Sequence, residues 1–204
     1  MTADLTHIDT WIFDLDNTLY PPECELFALI DDNMTRFVMA ELDLAWDAAR
    51  ALQKKYYHEH GTTLAGLMAN HGMAPGRFLD AAHDIALDRV PRDPALAAGL
   101  ARLPGRRLVY TNGSTRHAER VLEAPAFVPK PEPAAFAAMM VAHGVRGPRA
   151  AFFEDLAKNL KPAAALGLTT VLVGPHAFDG AEDFVHHRSE ALTPFITTAR
   201  VAAA

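Results

Sequence analysis

Cysteine is nearly absent: Cys24 is the only one in 204 residues, which excludes an intramolecular disulfide and suits a reducing compartment. No His, Lys or Arg adjoins it in sequence, so it reads as a small apolar filler rather than a nucleophile. Runs of lysine and arginine are missing too. With 19 basic against 25 acidic residues the net charge is −6, so a general nucleic-acid footprint is not expected, and an anionic ligand needs a local positive site. No apolar run reaches the ~18 residues of a membrane span, and MTADLTHIDT lacks the basic-then-apolar layout of a signal peptide. The cytoplasm is therefore the expected compartment. Internal repeats and low-complexity segments are also missing. What is present is a globular composition, 50% apolar and 22% charged, long enough for a sizeable core plus a smaller appendage.

Four segments read as short buried strands, apolar on both faces: TWIFD at 10–14, RLVYT at 107–111, AAFFE at 150–154 and TTVLV at 169–173. That pattern fits parallel strands covered by helices on both sides. Helices are expected over 114–124, opened by Ser114, over 133–143, opened by Pro133, and over 157–166, closed by Gly167. The implied class is α/β, a doubly wound parallel sheet. The stretch 24–101 has helical periodicity and no strand-like segment, with helices expected at 24–40, 44–59, 63–70, 76–89 and 93–101. An all-helical insertion after the first strand follows, dividing the chain into a core of 1–19 and 102–204 and a cap of 20–101. Beyond Gly174 the pattern is weak, and a surface wrap is expected.

Ligands of open parallel sheets bind outside the carboxyl ends of the strands. Those ends carry Asp14 and Asp16, then Thr111-Asn112-Gly113, then Glu154-Asp155. Carboxylates gathered in one place repel one another unless a hard cation such as Mg²⁺ sits among them. Lys130, between the second and third ends, can neutralise the remainder. An aspartate near Mg²⁺, a hydroxyl and a lysine make a phosphoryl-transfer site with a carboxylate nucleophile. Taken singly, each element has a plainer meaning. Asp14-Leu15-Asp16-Asn17 is a strand ending in a turn, Thr111-Asn112-Gly113 a strand-to-helix turn, Lys130 a solvated lysine and Glu154-Asp155 a helix cap. Their joint occurrence in one order selects the site.

The ordered motifs DLDNT, TNG, the lysine of PKP and FFEDLAKNLKPAAALGLTTVLVG resemble those of the haloacid dehalogenase superfamily, over nearly the whole chain. Within it, DLDNTLYPP, YYHEHGTTLAGLM, TNGSTRHAERVL and FVPKPEP resemble the bacterial pyrimidine 5′-nucleotidase group, with a small helical cap on a Rossmann-like core. The resemblance implies that Asp14 attacks phosphorus and that Asp16 protonates the leaving oxygen and then activates water. It implies that Thr111 and the Asn112–Gly113 backbone bind the phosphoryl oxygens and that Lys130 holds the nucleophile and the transferring group. Mg²⁺ would be held by Asp14, the Asp16 carbonyl and Asp155, with Glu154 second in rank. Tyr20, Tyr57, Thr62 and Thr63 are the polar candidates for substrate binding. The implied activity is a Mg²⁺-dependent phosphomonoesterase acting on UMP or CMP, with phosphoglycolate or a sugar phosphate as alternatives, in a monomer or homodimer with no nucleic-acid or membrane partner.

A dehalogenase needs no leaving-group acid, which leaves Asp16 unexplained. A receiver-type signalling module also combines aspartates, Thr, Lys and Mg²⁺, but it carries no long helical insertion after the first acidic pair. Two departures from the group stand out: Leu156 replaces the usual serine after the acidic pair, and only residues 113–129 separate Asn112 from Lys130. A helix over 115–124 descends ~15 Å, and residues 125–129, extended, climb back by about the same distance. The return is barely possible, so a catalytically impaired binding protein is a further class to test. His58, His60, His186 and His187 read as surface histidines. Met34, Met39, Met68, Met73, Met139 and Met140 read as core filler.

Overall fold

The computed structural model describes residues 2–113, 117, 127–129 and 133–203, with the backbone alone for 127–129 and 133–135. In chain order the elements are β1 (Thr10–Phe13), α1 (Leu26–Leu42), α2 (Trp46–His60), α3 (Thr63–His71), α4 (Pro75–Ala82), α5 (Pro94–Ala101), β2 (Arg106–Thr111), β3 (Phe127–Pro129), α6 (Pro133–Ala142), β4 (Ala150–Glu154), α7 (Ala157–Ala165), β5 (Thr169–Val173), β6 (His187–Ser189) and α8 (Leu192–Thr198). The chain divides into two compact units, Met1–Cys24 with Val90–Ala204, and Glu25–Arg89. The helix α5, counted with the insertion on sequence, belongs to the first unit. There Gly99 approaches Ile196 of α8 so closely that a Cβ would meet it at 2.8 Å. Arg102 ties the same pair together, donating to Ile196 O at 2.6 Å and Ala199 O at 3.0 Å.

All six strands of the first unit form one parallel sheet in the order β3-β2-β1-β4-β5-β6. The chain builds outward from β1 to one side and then returns to build the other, which makes the end of β1 the topological switch point. Every residue of β1 is buried, as a central strand covered on both faces requires. On one face Ile12, Tyr110 and Phe152 pack with Phe136, Met139, Met140 and Leu160. On the other, Phe13 stacks on Phe153 at 4.8 Å between centroids, and Phe153 meets Phe195 of α8 edge-on at 5.7 Å.

The sheet is wider than the sequence pattern implied. Residues 175–203 do more than wrap the surface: β6 pairs with β5, Val171 facing His187, and α8 follows. Its residues His187, Arg188 and Ser189 are polar and half-buried, so this edge strand carries no hydrophobic alternation to detect. On the opposite edge β3 pairs with β2, Thr111 facing Pro129. The helix expected over 114–124 lies outside the described residues, apart from His117.

The second unit is all-helical. Asp31 on α1 gathers Arg50 at 2.6 Å and Lys54 at 2.9 Å from α2, and the buried Thr35 hydroxyl donates to Gln53 Oε1. The helix expected over 76–89 stops at Ala82, where the His83 ring bonds back to Leu79 O. Met68 is exposed rather than core, while Met139 and Met140 are buried. His187 is half-buried, and burial, followed by the neighbouring His186, pushes its pKa below the ordinary histidine value. No helix among the described residues is long and apolar enough to cross a membrane.

Gly105 holds the entry to β2. Its φ of +82° is left-handed, and a Cβ there would meet Asp9 O at 2.1 Å, the same oxygen that accepts from Arg106 N. Gly105→Ala should therefore destabilise the protein by about 2 kcal/mol or more, read as a lower urea midpoint with an unchanged slope. A midpoint equal to wild type would remove the constraint assigned to this turn.

Candidate active site

The hydrogen-bond ladder runs one residue beyond β1: Asp14 N donates to Phe153 O at 2.9 Å, which holds Asp14 beside the end of β4. Leu15 is buried, and the chain then turns on Asn17, whose φ is +61°, while Thr18 N and Leu19 N both bond to Leu15 O. Asn tolerates this left-handed conformation better than most residues. The turn brings Asp16 to the end of β2. There Thr111 Oγ1 lies 3.4 Å from Asp16 Oδ2 and accepts from Gly113 N at 3.0 Å. The other Asp16 oxygen, Oδ1, accepts from the Tyr20 hydroxyl at 2.5 Å and meets His117 Nε2 at 3.0 Å. Burial first, then the charges of Asp16 and Asp14, push the Tyr20 hydroxyl far above the usual tyrosine range, so it stays protonated and donates.

A second grouping lies across β1 and β4. Carboxylate oxygens of Asp14, Glu154 and Asp155 lie within 4.8 Å of one another, with Asp14 and Glu154 buried. Like charges this close repel by about 3 kcal/mol or more per pair at an effective dielectric constant near 20. A hard divalent cation reverses that sign, and three largely buried carboxylates are the donor set it prefers. The cluster can hold such an ion. Glu154 Oε1 accepts from Leu156 N at 3.3 Å and Asn159 Nδ2 at 3.1 Å, and Asn17 Nδ2 reaches Asp155 Oδ2 at 3.4 Å. Leu156, which stands where the resembled group carries a serine, gives its backbone N–H to Glu154.

Of the residues singled out on sequence, Asp14, Asp16, Thr111, Gly113, Glu154, Asp155 and Tyr20 all belong to the first unit and converge at these strand ends. Asn112 is exposed beside Thr111. Tyr20 is buried, with its hydroxyl on Asp16. Lys130 lies outside the described residues, one position after Pro129. Tyr57, Thr62 and Thr63 belong to the second unit: Tyr57 stands edge-on to His58, Thr62 Oγ1 accepts from Ala65 N at the start of α3, and the buried Thr63 hydroxyl donates to Gln53 O. Sequence reasoning passed over His117 and Asn17. Both sit inside recognised motifs, TNGSTRH and DLDN, but a lone His or Asn in a turn carries no signal until its partner is known.

The family model of haloacid dehalogenase-like hydrolases matches residues 8–167. Phosphate metabolism protein 8 of Saccharomyces cerevisiae is 24% identical over 194 residues, covering 79% of this chain and 60% of that protein, so the chain spans about 60% of the length of this curated relative. A haloacid dehalogenase-type phosphatase from Thermococcus onnurineus has a similar fold, with a TM-score of 0.62 at 15% identity, over 95% of this chain and 100% of that one. CbbY from Rhodobacter sphaeroides, solved in complex with Xylulose-(1,5)bisphosphate, has a TM-score of 0.62 at 18% identity, over 90% and 94%.

The acidic cluster predicts a thermal signature. Saturating Mg²⁺ at about 100 times its Kd should stabilise the chain by about 2.7 kcal/mol, a rise in Tm of roughly 5–10 °C. Asp155→Asn should remove most of that rise. An equal rise in both proteins would place the cation elsewhere.

Proposed function

We propose that this chain, which belongs to the haloacid dehalogenase-like hydrolase family, is a Mg²⁺-dependent phosphomonoesterase that works through an aspartyl-phosphate on Asp14, with a pyrimidine 5′-nucleotide such as UMP or CMP as substrate. The observation that carries the reading is the separation of two carboxylates two residues apart. Asp14 faces the acidic cluster, whereas Asp16 is turned out of it onto Thr111, Tyr20 and His117. A nucleophile and an acid–base need such different surroundings.

In the first step an Asp14 oxygen attacks phosphorus, the bond from phosphorus to the ester oxygen breaks, and the departing oxygen takes a proton from Asp16. In the second, Asp16 removes a proton from water, which attacks phosphorus and frees Asp14 and inorganic phosphate. Thr111 Oγ1 and the backbone of Asn112 and Gly113 bind the phosphoryl oxygens. Asp14, Asp155 and the Asp16 carbonyl, with Glu154 as a further or orienting group, would hold Mg²⁺, which would supply positive charge against the transferring phosphoryl. By the same resemblance, Lys130 holds the nucleophile and the transferring group. Substrate choice rests on the resemblance of the DLDNTLYPP, YYHEHGTTLAGLM, TNGSTRHAERVL and FVPKPEP segments together to pyrimidine 5′-nucleotidases. CbbY, of similar fold, is solved with a phosphorylated sugar, so sugar phosphates are the second class to assay.

A phosphate-release panel with Mg²⁺ should give the highest kcat/KM on UMP or CMP, and EDTA should abolish turnover. Asp14→Asn should leave the fold intact and reduce hydrolysis below detection, because an amide cannot serve as the attacking oxygen. Asp16→Asn should cost on the order of 10²–10⁴-fold on nucleotides, less on p-nitrophenyl phosphate, whose leaving group needs no proton. Residual Asp14→Asn turnover within tenfold of wild type would defeat the nucleophile assignment.

Lys130→Ala should lower kcat on the order of 10²-fold with little change in Tm, as expected for one charge aimed at a developing anion. A nearly silent substitution would mean that the shortened 113–129 segment leaves the lysine in solvent.

A further inference from the structure

We propose that His117, together with Tyr20, positions Asp16 by occupying its Oδ1, so that Oδ2 alone exchanges the proton with the leaving oxygen and with water; the inference rests on the phosphomonoesterase reading above. His117 is fully buried, and its Nε2 lies 3.0 Å from Asp16 Oδ1. The Tyr20 hydroxyl lies on the same oxygen. In the step where Asp16 is ionised it only accepts hydrogen bonds, so both partners then donate to Oδ1 and Nε2 carries the hydrogen. When Asp16 takes up a proton, placing it on Oδ1 would crowd three hydrogens onto one oxygen. It goes to Oδ2, on the Thr111 side, where the phosphoryl oxygens are received.

The terminal torsion of an aspartate is broad, so a lone Asp16 would present either oxygen at many angles. Displacements of about 1 Å in a reacting group cost on the order of 10²-fold in rate. Two donors from different places in the chain, Tyr20 on the turn after β1 and His117 after β2, fix both the rotation and the identity of the exchanging oxygen. A merely structural histidine would be satisfied by any acceptor. This one ends on the only carboxylate to which the mechanism assigns proton transfer. His117 touches no substrate and is a positioning residue.

The test compares first-turnover alcohol release from benzyl phosphate, whose alkoxide needs a proton, and from p-nitrophenyl phosphate, whose phenolate does not. In His117→Leu the benzyl rate should fall about 10–100-fold and the p-nitrophenyl rate less than about threefold, with KM within about threefold for both. The Mg²⁺-induced rise in Tm should persist. His117→Gln, which can return an N–H toward Oδ1, should recover most of the benzyl rate, and Tyr20→Phe should reproduce the same selective loss, carrying the comparison if His117→Leu does not fold. Equal losses on both substrates, no loss on either, or a Gln variant no better than Leu would overturn the inference. Wild type inactive on both substrates would instead bring down the phosphomonoesterase reading, and this inference with it.

Discussion

The pairing of β1 on both sides is the constraint from which the site follows. Arg106–Val109 of β2 and Ala150–Phe153 of β4 stand in register against the four residues of β1, and the Asp14 N–H adds one more bond to Phe153 O. Because all three strands run the same way, their carboxyl ends come to one edge together. Asp14, Thr111 and Glu154 are neighbours for that reason alone. Their buried aromatic underlay, with Phe13 stacked on Phe153 and Tyr110 against Phe136, leaves little room for the edge to relax away from the charges it carries.

Two carboxylates separated by one leucine end in unlike environments because the backbone turns between them. Asp14 remains in the plane of the sheet, close to the carboxylates of Glu154 and Asp155, a crowding that a bound cation would relieve. Asp16, beyond the buried Leu15 and just before the left-handed Asn17, meets hydrogen-bond donors. A single residue of turn thus supplies two sites of different chemistry, which is the arrangement a nucleophile and an acid–base require.

Much of this was legible in the residues. Buried strands declare themselves by runs such as WIF, LVY and AAFF, apolar on both faces, and the acids declare themselves by standing where those runs stop. What stayed hidden is the part whose meaning is relational. The strand at His187–Ser189 is held by backbone bonds to β5 and needs no apolar alternation, so its polar sequence gave no sign of it. The helix α5 has the same helical composition as the insertion, yet its contacts with Ile196 and Thr197 assign it to the core. His117 is an ordinary motif residue until its distance to Asp16 is known.

The central strand is also the first to be synthesised and among the last to find its partners. While residues 25–89, contiguous in sequence, can gather their helices as they emerge, β1 must wait for β2 at 106–111 and then for β4 at 150–154 before either of its edges is covered. Contacts so distant in sequence slow folding, and an unpaired apolar strand on a nascent chain is exposed to aggregation. The tether at the far end, where Leu5 N meets Arg200 O and Arg200 N meets Ala3 O, closes only after residue 200 has left the ribosome. The arrangement that concentrates the chemistry at the end of β1 therefore leaves an apolar strand without its sheet partners on the growing chain, from the appearance of Trp11 until β4 is available.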